Sequence, residues 1–294
     1  MNRNDLISVI VPFYKGNAYM DELLLNLENV HQQLADNTGA GLEAIIVNDS
    51  PEISVEYSAA VTIPVTVVSN PQNLGIHGSR IHGLQYAKGN WIQFLDQDDL
   101  LVPEHYYSQL QSAQDCDVVV GNCWYYFGDE KTLLYPNLRT MQRRICESAF
   151  LRIRNMIASP GHCLIRKASI PAAWQTNPMK TNGSDDYYLW LLMFDQGAAF
   201  TQNAAPIYIH RNSESGNLSF DLGKMDRSNQ EMCERLREVD AYPEHKRKAV
   251  ARSIKFKYLY DTKQLKLSDW LSFGDKVLDN VFYKITSLRL KYFG

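Results

Sequence analysis

Apolar and polar positions alternate along the first hundred residues in two different periods. Short apolar runs at residues 7–12, 42–47, 61–68 and 91–95 each stop at polar residues or proline, which predicts buried strands. Between the first two runs, leucine and valine recur at helical spacing over residues 20–34, and residues 75–88 form a second helical stretch. Strands that alternate with helices predict a mostly parallel α/β sheet flanked by helices.

The second half of the chain continues the sheet and then becomes helical. We predict a strand over 118–120, a hairpin of 124–126 with 132–134, helices over 142–157 and 188–194, a last strand over 206–210, and helices from 225 onward. A soft domain boundary therefore falls near residue 220, and residues 221–294 form a C-terminal helical extension.

Three predicted strands end in polar segments, at residues 12–15, 48–51 and 96–99. Ligands of parallel α/β sheets bind beyond the carboxyl ends of the strands. These three segments are the first place to search for a binding site.

Composition and charge narrow the class of protein. The 294 residues are 45% hydrophobic and 21% charged, which is typical of a soluble globular protein, and the five cysteines show no metal-finger spacing. We expect a reducing compartment, no export signal and no membrane span, hence a cytoplasmic protein. Residues 245–294 hold 12 Lys and Arg against 4 Asp, a formal charge of +8, whereas the remainder carries −11.

The basic segment 245–294 also contains regularly spaced aromatic and aliphatic residues. Two interpretations stay open. The segment lies on an anionic bilayer, so that the protein is peripheral at the inner face of the cell membrane, or its apolar faces pack on the catalytic domain or on a second subunit of a homodimer. Nucleic acid is not an expected partner, because no RNA- or DNA-binding motif is present.

The acidic cluster at residues 96–99 is the strongest chemical signal. Asp96, Asp98 and Asp99 repel one another unless a cation lies between them, and hard carboxylate oxygens suit Mg²⁺ or Mn²⁺. A magnesium site uses only one or two carboxylates together with substrate phosphates, so the metal predicts a diphosphate. The alternative is a solvated acidic turn that caps the next helix, the role we expect for Asp99.

Two further features are weaker evidence for a binding site when each is taken alone. Asp49 follows another strand, where a lone aspartate is usually an Asx-turn residue. The loop at residues 73–80 contains glycine and leads into a helix with Arg80, so its N–H groups and guanidinium could bind phosphate.

Taken together, these segments form an ordered series that resembles glycosyltransferase family 2. The series consists of SVIVPFY at 8–14, VNDS at 47–50, NLG at 73–75 followed by Arg80, FLDQDD at 94–99, and DDYYLW at 185–190. The resemblance covers about residues 7–215. It implies the GT-A fold, which is Rossmann-like, a nucleotide-diphosphate-sugar donor and inversion at the anomeric carbon. The cluster FLDQDD then corresponds to the DXD motif of the family.

The resemblance also implies roles for single residues. The donor-binding set is Pro12, Phe13, Tyr14, Asp49, Arg80, Asp96, Gln97 and Arg211, and the metal set is Asp98, Asp96 and His210, holding Mn²⁺ or Mg²⁺. Asp186 takes the position of the general base, which an inverting transfer needs to accept the proton of an acceptor hydroxyl. The alternative for Asp185 and Asp186 is favourable charge at a helix N-terminus. His162 and Asp185 are the candidates for acceptor binding.

The chain departs from the family pattern at two positions. Ser79-Arg80-Ile81 stands where members commonly have Ala-Arg-Asn, and Asn48 stands where an aspartate is common. Neither change touches the metal motif, but both weaken any inference about the preferred nucleotide.

We therefore expect a GT-A catalytic domain over 1–220, with a nucleotide-sugar half at about 1–100 and an acceptor half at about 101–220, followed by the basic helical extension 221–294. The expected reaction moves a hexose from a nucleotide-diphosphate sugar, most commonly a UDP-sugar in such enzymes, to a hydroxyl of a glycan or lipid-linked acceptor in surface polysaccharide biosynthesis. A sugar nucleotidyltransferase would show a glycine-rich basic signature after the first strand, where this chain has only Gly16. A non-catalytic binding module would be favoured by a broken acidic motif, and the motif is intact.

Overall fold

A computed structural model describes residues 5–127, 130–212, 221–279 and 281 of the chain. Its strands are β1 (Leu6–Phe13), β2 (Gly41–Asn48), β3 (Val65–Ser69), β4 (Trp91–Phe94), β5 (Leu100–Leu101), β6 (Val118–Phe127), β7 (Glu130–Leu133), β8 (Cys163–Arg166) and β9 (Phe200–Asn212). Its main helices are α1 (Asn17–Thr38), α2 (Gly75–Tyr86), α3 (His105–Ser112), α4 (Leu138–Arg144), α5 (Glu147–Arg152), α6 (Ala172–Thr176), α7 (Asp185–Asp195), α8 (Leu222–Glu238), α9 (Glu244–Asp261) and α10 (Leu267–Ser272).

Within the described residues, the nine strands form one sheet in the order β3-β2-β1-β4-β8-β6-β9-β5, and β7 pairs with β6. The strands β3, β2, β1 and β4 are parallel to one another. Strand β8 runs antiparallel to both β4 and β6, and β6 pairs in parallel with β9. Most strands therefore share one direction, which confirms the predicted mostly parallel α/β sheet.

Helices cover both faces of the sheet because both faces of the central strands are apolar. Val9 and Val11 of β1 pack with Leu27 of α1, whereas Ile10 points to the opposite face. There α2 approaches the sheet closely at Gly83, where an added Cβ would lie 2.4 Å from the Ile10 side chain. This close approach packs the last turns of α2 against β1 and β2.

The helix predicted over 142–157 was wrong in its extent. The chain forms α4 and α5 instead, because Cys146 between them has an extended backbone with φ −149°. Residues 153–159 are not helical. This irregular segment borders the cavity described below.

The C-terminal region is helical as predicted as far as the structure describes it, and residues 282–294 lie outside the described part. Val250, Ser253 and Phe256 of α9 are buried. The Ser253 hydroxyl donates to the Leu151 carbonyl of α5 at 2.9 Å. One face of α9 thus packs on the α/β body. Among the described helices, none combines the length and apolar character needed to cross a bilayer.

Candidate active site

A cavity of about 980 Å³ opens at the carboxyl ends of β2, β1 and β4. Because these strands are neighbours in the sheet, the three polar segments predicted from the sequence meet at its edge. The Asp49 N–H donates to the Phe13 carbonyl at 2.8 Å. The Tyr14 N–H donates to Gln97 Oε1 at 3.0 Å, and Gln97 Nε2 donates back to the Tyr14 carbonyl at 3.2 Å. Pro12 lines the cavity beside them.

Asp49 anchors the beginning of α2. Its buried carboxylate accepts from the Leu74 N–H at 2.6 Å and the Gly75 N–H at 2.9 Å, and also from Asn70 Nδ2 at 2.7 Å. The Asx turn at this strand end belongs to Asn48, whose Oδ1 accepts from the Ser50 N–H. Asp49 still lines the cavity, and its contact with a base stays a prediction.

Arg80 is buried and joins three of the sequence motifs. Its Nη1 lies 2.7 Å from Asp185 Oδ2 and its Nη2 lies 2.9 Å from Asp96 Oδ1. The guanidinium carbon also lies 5.7 Å from the centre of the Phe94 ring. Arg80 lines the cavity, but its terminal nitrogens face carboxylates of the protein, whereas the resemblance directed them to a nucleotide.

Asp96 and Asp98 form the acidic wall of the cavity. Burial, together with repulsion from Asp99 and Asp96, raises the pKa of Asp98 to about 6. Burial also raises the pKa of Asp96, against the attraction of Arg80. Crowded carboxylates with raised pKa values favour a cation between them.

Asp99 does not cap a helix, so that prediction was wrong. The element that follows is the strand β5, and the Asp99 carboxylate accepts hydrogen bonds from the Tyr208 hydroxyl, His210 Nδ1 and the Arg211 N–H. Asp99 thereby fastens the acidic segment to β9. His210 itself lines the cavity.

The residues present fit a hard divalent cation. Asp96 and Asp98 supply carboxylate oxygens, and His210, whose Nδ1 lies 3.0 Å from Asp99 Oδ2, has the second-partner arrangement common to metal-binding histidines. In the described residues, no three His, Cys, Asp or Glu side chains are grouped so as to hold a metal by themselves. A cation here would therefore need further oxygens, such as those of a diphosphate.

Asp186 lies in the first turn of α7 and lines the same cavity. Its Oδ2 accepts from Asn155 Nδ2 at 2.8 Å, and its Oδ1 accepts from the Tyr187 N–H at 2.7 Å. Burial, followed by repulsion from Asp185, raises the pKa of Asp186 to about 7, against the attraction of Arg80. The carboxylate is thus suited to exchange a proton near neutral pH.

The two acceptor-binding predictions have different outcomes. His162 is fully buried, its Nδ1 lies 2.6 Å from the Gly121 carbonyl, and its Nε2 accepts from the Ala158 N–H. His162 therefore holds the chain together and does not face an acceptor, which corrects the prediction. Asp185 is paired with Arg80, so its described contact is with the protein.

Arg211 also lies apart from the predicted position. Its guanidinium forms a bidentate pair with Glu22 of α1, at 2.9 Å and 2.6 Å, and it is not among the residues that line the cavity. This conformation therefore does not support donor binding by the Arg211 side chain. The polar segment that follows it, residues 213–219, lies outside the described residues.

Sequence reasoning missed Asn155 and the cavity-lining residues of α8 and α9. Asn155 lay within a segment predicted to be helical, and no motif marks it. The residues of α8 and α9 recur at helical spacing, but spacing alone does not indicate which face of a helix meets a cavity. Only the packing of the chain brings these residues to the site.

Comparison with known families gives one match that covers more than half of the chain. Residues 8–172 match the family model described as Glycosyl transferase family 2. An uncharacterized glycosyltransferase of Haemophilus influenzae is 36% identical over 99 residues, which cover 34% of this chain and 31% of that protein. The glycosyltransferase GlyG of Streptococcus pneumoniae is 34% identical over 134 residues, which cover 43% of this chain and 41% of that protein. The aligned segments thus span less than half of these relatives.

Solved structures show a similar fold over nearly the whole chain. S. aureus TarS 1-349 in complex with UDP-GlcNAc is 16% identical with a TM-score of 0.59, covering 92% of this chain and 80% of that one. The mannosyltransferase PcManGT from Pyrobaculum calidifontis, in complex with GDP-Man and Mn²⁺, is 13% identical with a TM-score of 0.54, covering 98% and 85%. These similarities confirm the predicted GT-A fold.

Proposed function

The chain belongs to glycosyl transferase family 2, and on that premise we propose that it transfers a sugar, with inversion, from a nucleotide-diphosphate sugar to a hydroxyl group of a glycan or lipid-linked acceptor. A role in surface polysaccharide biosynthesis is part of the proposal. It is supported by a relative described as a minor teichoic acid biosynthesis protein of Bacillus subtilis, which is 37% identical over 100 residues.

The observation that carries the proposal is the carboxylate of Asp186, which lines the cavity and has a pKa raised to about 7. As the acceptor oxygen attacks the anomeric carbon, its proton passes to Asp186. The bond from that carbon to the diphosphate oxygen breaks, and the diphosphate leaves with the bonding electrons. A base whose pKa lies near the working pH is effective in such a step.

The donor half of the proposal assigns the nucleoside to the edge formed by Pro12, Phe13 and Tyr14. The diphosphate and a divalent cation, Mn²⁺ or Mg²⁺, are assigned to Asp96, Asp98 and His210. When bound, the cation would stabilise the negative charge of the departing diphosphate. Crowding of the two carboxylates and the cavity position of His210 support this assignment.

A donor-hydrolysis screen tests the proposed function. UDP-, GDP- and dTDP-sugars are incubated with the full chain, with and without Mn²⁺, and released nucleotide is measured. We expect metal-dependent release from at least one donor, with UDP-sugars the first candidates because UDP is the commonest donor nucleotide in such enzymes. If no donor binds or turns over in the presence of metal, the proposal fails.

We also propose that the basic face of α9 lies against an anionic bilayer. Lys248 and Lys255 lie at helical spacing on the side of α9 away from its buried face and are exposed, whereas the exposed Arg252 is paired with Asp275. Each basic residue near an anionic surface contributes about 1 kcal/mol to binding. Sedimentation with phosphatidylglycerol vesicles should fall in the double variant Lys248→Glu/Lys255→Glu, with phosphatidylcholine vesicles as the control. Equal sedimentation of both proteins would contradict the proposal. The homodimer stays a prediction.

A further inference from the structure

Two helices outside the segment that matches the family model contribute to the cavity. Residues 8–172 match the model, whereas α8 and α9 follow the last strand. Both helices present residues to the same cavity that Asp186 lines. The residues that α8 and α9 present to the cavity form one of its walls, the α8–α9 wall. The proposed transfer does not yet assign a role to it.

The cavity side of α8 is a stripe at helical spacing, formed by Leu222, Met225, Asp226 and Asn229. These positions follow the i, i+3, i+4, i+7 pattern of one helix face. The residues Ser228, Met232 and Leu236 of α8 are buried in the protein instead. The helix thus packs through one face and presents a neighbouring one to the cavity.

The cavity side of α9 follows the same pattern with Ile254, Lys257, Tyr258 and Asp261. Its buried face consists of Val250, Ser253 and Phe256, as described above. Lys257 and Asp261 form an ion pair within the stripe. Each of the two helices therefore offers the cavity both apolar surface and hydrogen-bonding groups.

Hydrogen bonds fix α8 beside the residues that precede the base. The Ser184 N–H donates to Ser228 Oγ at 3.0 Å, and the Ser184 hydroxyl donates to Asn229 Oδ1 at 3.0 Å. Ser184 lies two positions before Asp186. On the other side, the Ser253 hydroxyl of α9 holds that helix to α5, just before the segment that contains Asn155. The wall is thereby attached to both elements that position Asp186.

We propose that the α8–α9 wall is the subsite for the terminal sugar ring of the acceptor, an inference that rests on the proposed function. A pyranose ring offers an apolar C–H face and polar hydroxyl groups. The side chains of Tyr258, Ile254 and Met225 can pack against the apolar face of the ring. Those of Asn229 and Asp226 can form hydrogen bonds with its hydroxyl groups. Ligand sites commonly combine an apolar lining with a few placed polar groups in this way.

The charge of the wall favours a neutral sugar ring over a phosphate group. Lys257 is paired with Asp261, and Asp226 adds a second acidic group, so the stripe has no surplus of positive charge. The nucleotide is assigned to other residues of the cavity, at the carboxyl edge of the sheet. The nucleotide and the acceptor sugar are thus assigned to different residues of the one cavity that Asp186 also lines.

The test uses p-nitrophenyl glycosides of glucose, galactose and N-acetylglucosamine as acceptor probes. Binding is measured by saturation-transfer NMR without donor, and transfer is measured with the donor that the hydrolysis screen selects. For the Tyr258→Ala variant we expect loss of the NMR signal and an increase of about tenfold or more in the acceptor KM, a tenfold change being about 1.4 kcal/mol. Hydrolysis of the donor without acceptor is measured alongside, so that an effect on the donor is distinguished from an effect on the acceptor.

Tyr260→Ala is the matched control, because Tyr260 lies on the same helix, is 45% exposed and does not line the cavity. It should retain both the NMR signal and the acceptor KM. The inference is overturned if Tyr258→Ala binds and uses the glycosides as the unmodified protein does, or if the unmodified protein shows neither binding nor transfer with any of them. Failure of donor hydrolysis in the unmodified protein contradicts the proposed function instead, because the NMR measurement does not depend on a donor.

Discussion

Asp98 and Asp186 line one cavity, and the pKa of each is raised, to about 6 and about 7 respectively. Their surroundings differ. Asp98 lies among the carboxylates of Asp96 and Asp99, where a cation relieves the repulsion. Asp186 accepts hydrogen bonds from Asn155 and from the backbone, so one lone pair can be held toward an acceptor hydroxyl. The same residue type therefore supports two different roles.

Isosteric substitutions separate these roles. Asp186→Asn should reduce transfer by about 100-fold or more, since general bases contribute about 10²–10⁴ to rate, while nucleotide binding stays nearly intact. Asp98→Asn should weaken nucleotide binding only when Mn²⁺ is present. Calorimetric titration with UDP, with and without Mn²⁺, measures both effects. Asp195→Asn at the other end of α7 is the control, and an equal loss of binding in the two site variants would refute this division.

The pH dependence of transfer follows from the protonation of the base. Only the carboxylate form of Asp186 accepts a proton, so kcat/KM should rise tenfold per pH unit on the acid side and level off above about pH 7. Because neighbouring Asp185 raises this pKa and the Asn155 hydrogen bond lowers it, two variants should move the acid limb in opposite directions. Asp185→Asn should move it to lower pH, and Asn155→Ala to higher pH. If the acid limbs of both variants moved in the same direction, the assignment of Asp186 as the base would be contradicted.

At the scale of elements, the sequence predicted the sheet edge well. Each of β1, β2 and β4 was visible as an apolar run that stops at polar residues, and neighbouring parallel strands bring such ends together. The positions of other residues at the site depend on how the elements pack. Asn155 reaches Asp186 only because Cys146 and Ile153 interrupt the predicted helix, and His162 is buried because β8 lies between β4 and β6. Neither outcome has a local signal in the sequence.

Arg80 connects α2, the end of β4 and the start of α7. We therefore predict that its removal lowers the stability of the fold. Arg80→Leu leaves the carboxylates of Asp96 and Asp185 without their buried partner. Removal of one partner from a buried ion pair costs about 3–5 kcal/mol. Urea unfolding at pH 8 should show a loss of that size, whereas Arg139→Leu, at an exposed position of α4, should change the unfolding free energy by less than about 0.5 kcal/mol. Equal stability of the two variants would mean that the triad is not formed.

For the whole molecule, the question is whether the segment 221–294 is an appendage or part of the catalytic body. The sequence placed a soft boundary near residue 220, and that boundary stays a prediction. The described contacts favour a joint structure, because α8 is tied to the segment before Asp186 and α9 to α5. Both helices also line the cavity. A cavity with walls from both parts requires that they fold together.

Truncation of one buried side chain in α9 tests this joint structure. Phe256 is 4% exposed and packs with Phe273, so Phe256→Ala should cost about 3–5 kcal/mol. If α9 is part of the body, that loss lowers the midpoint of one cooperative thermal transition, observed alike by near-ultraviolet circular dichroism and by calorimetry. Lys255→Ala, at an exposed position on the opposite side of the same helix, should leave the midpoint nearly unchanged. An independent appendage would instead produce two transitions, of which Phe256→Ala shifts only the smaller, and the acceptor wall would then lose its rigid attachment to Asp186.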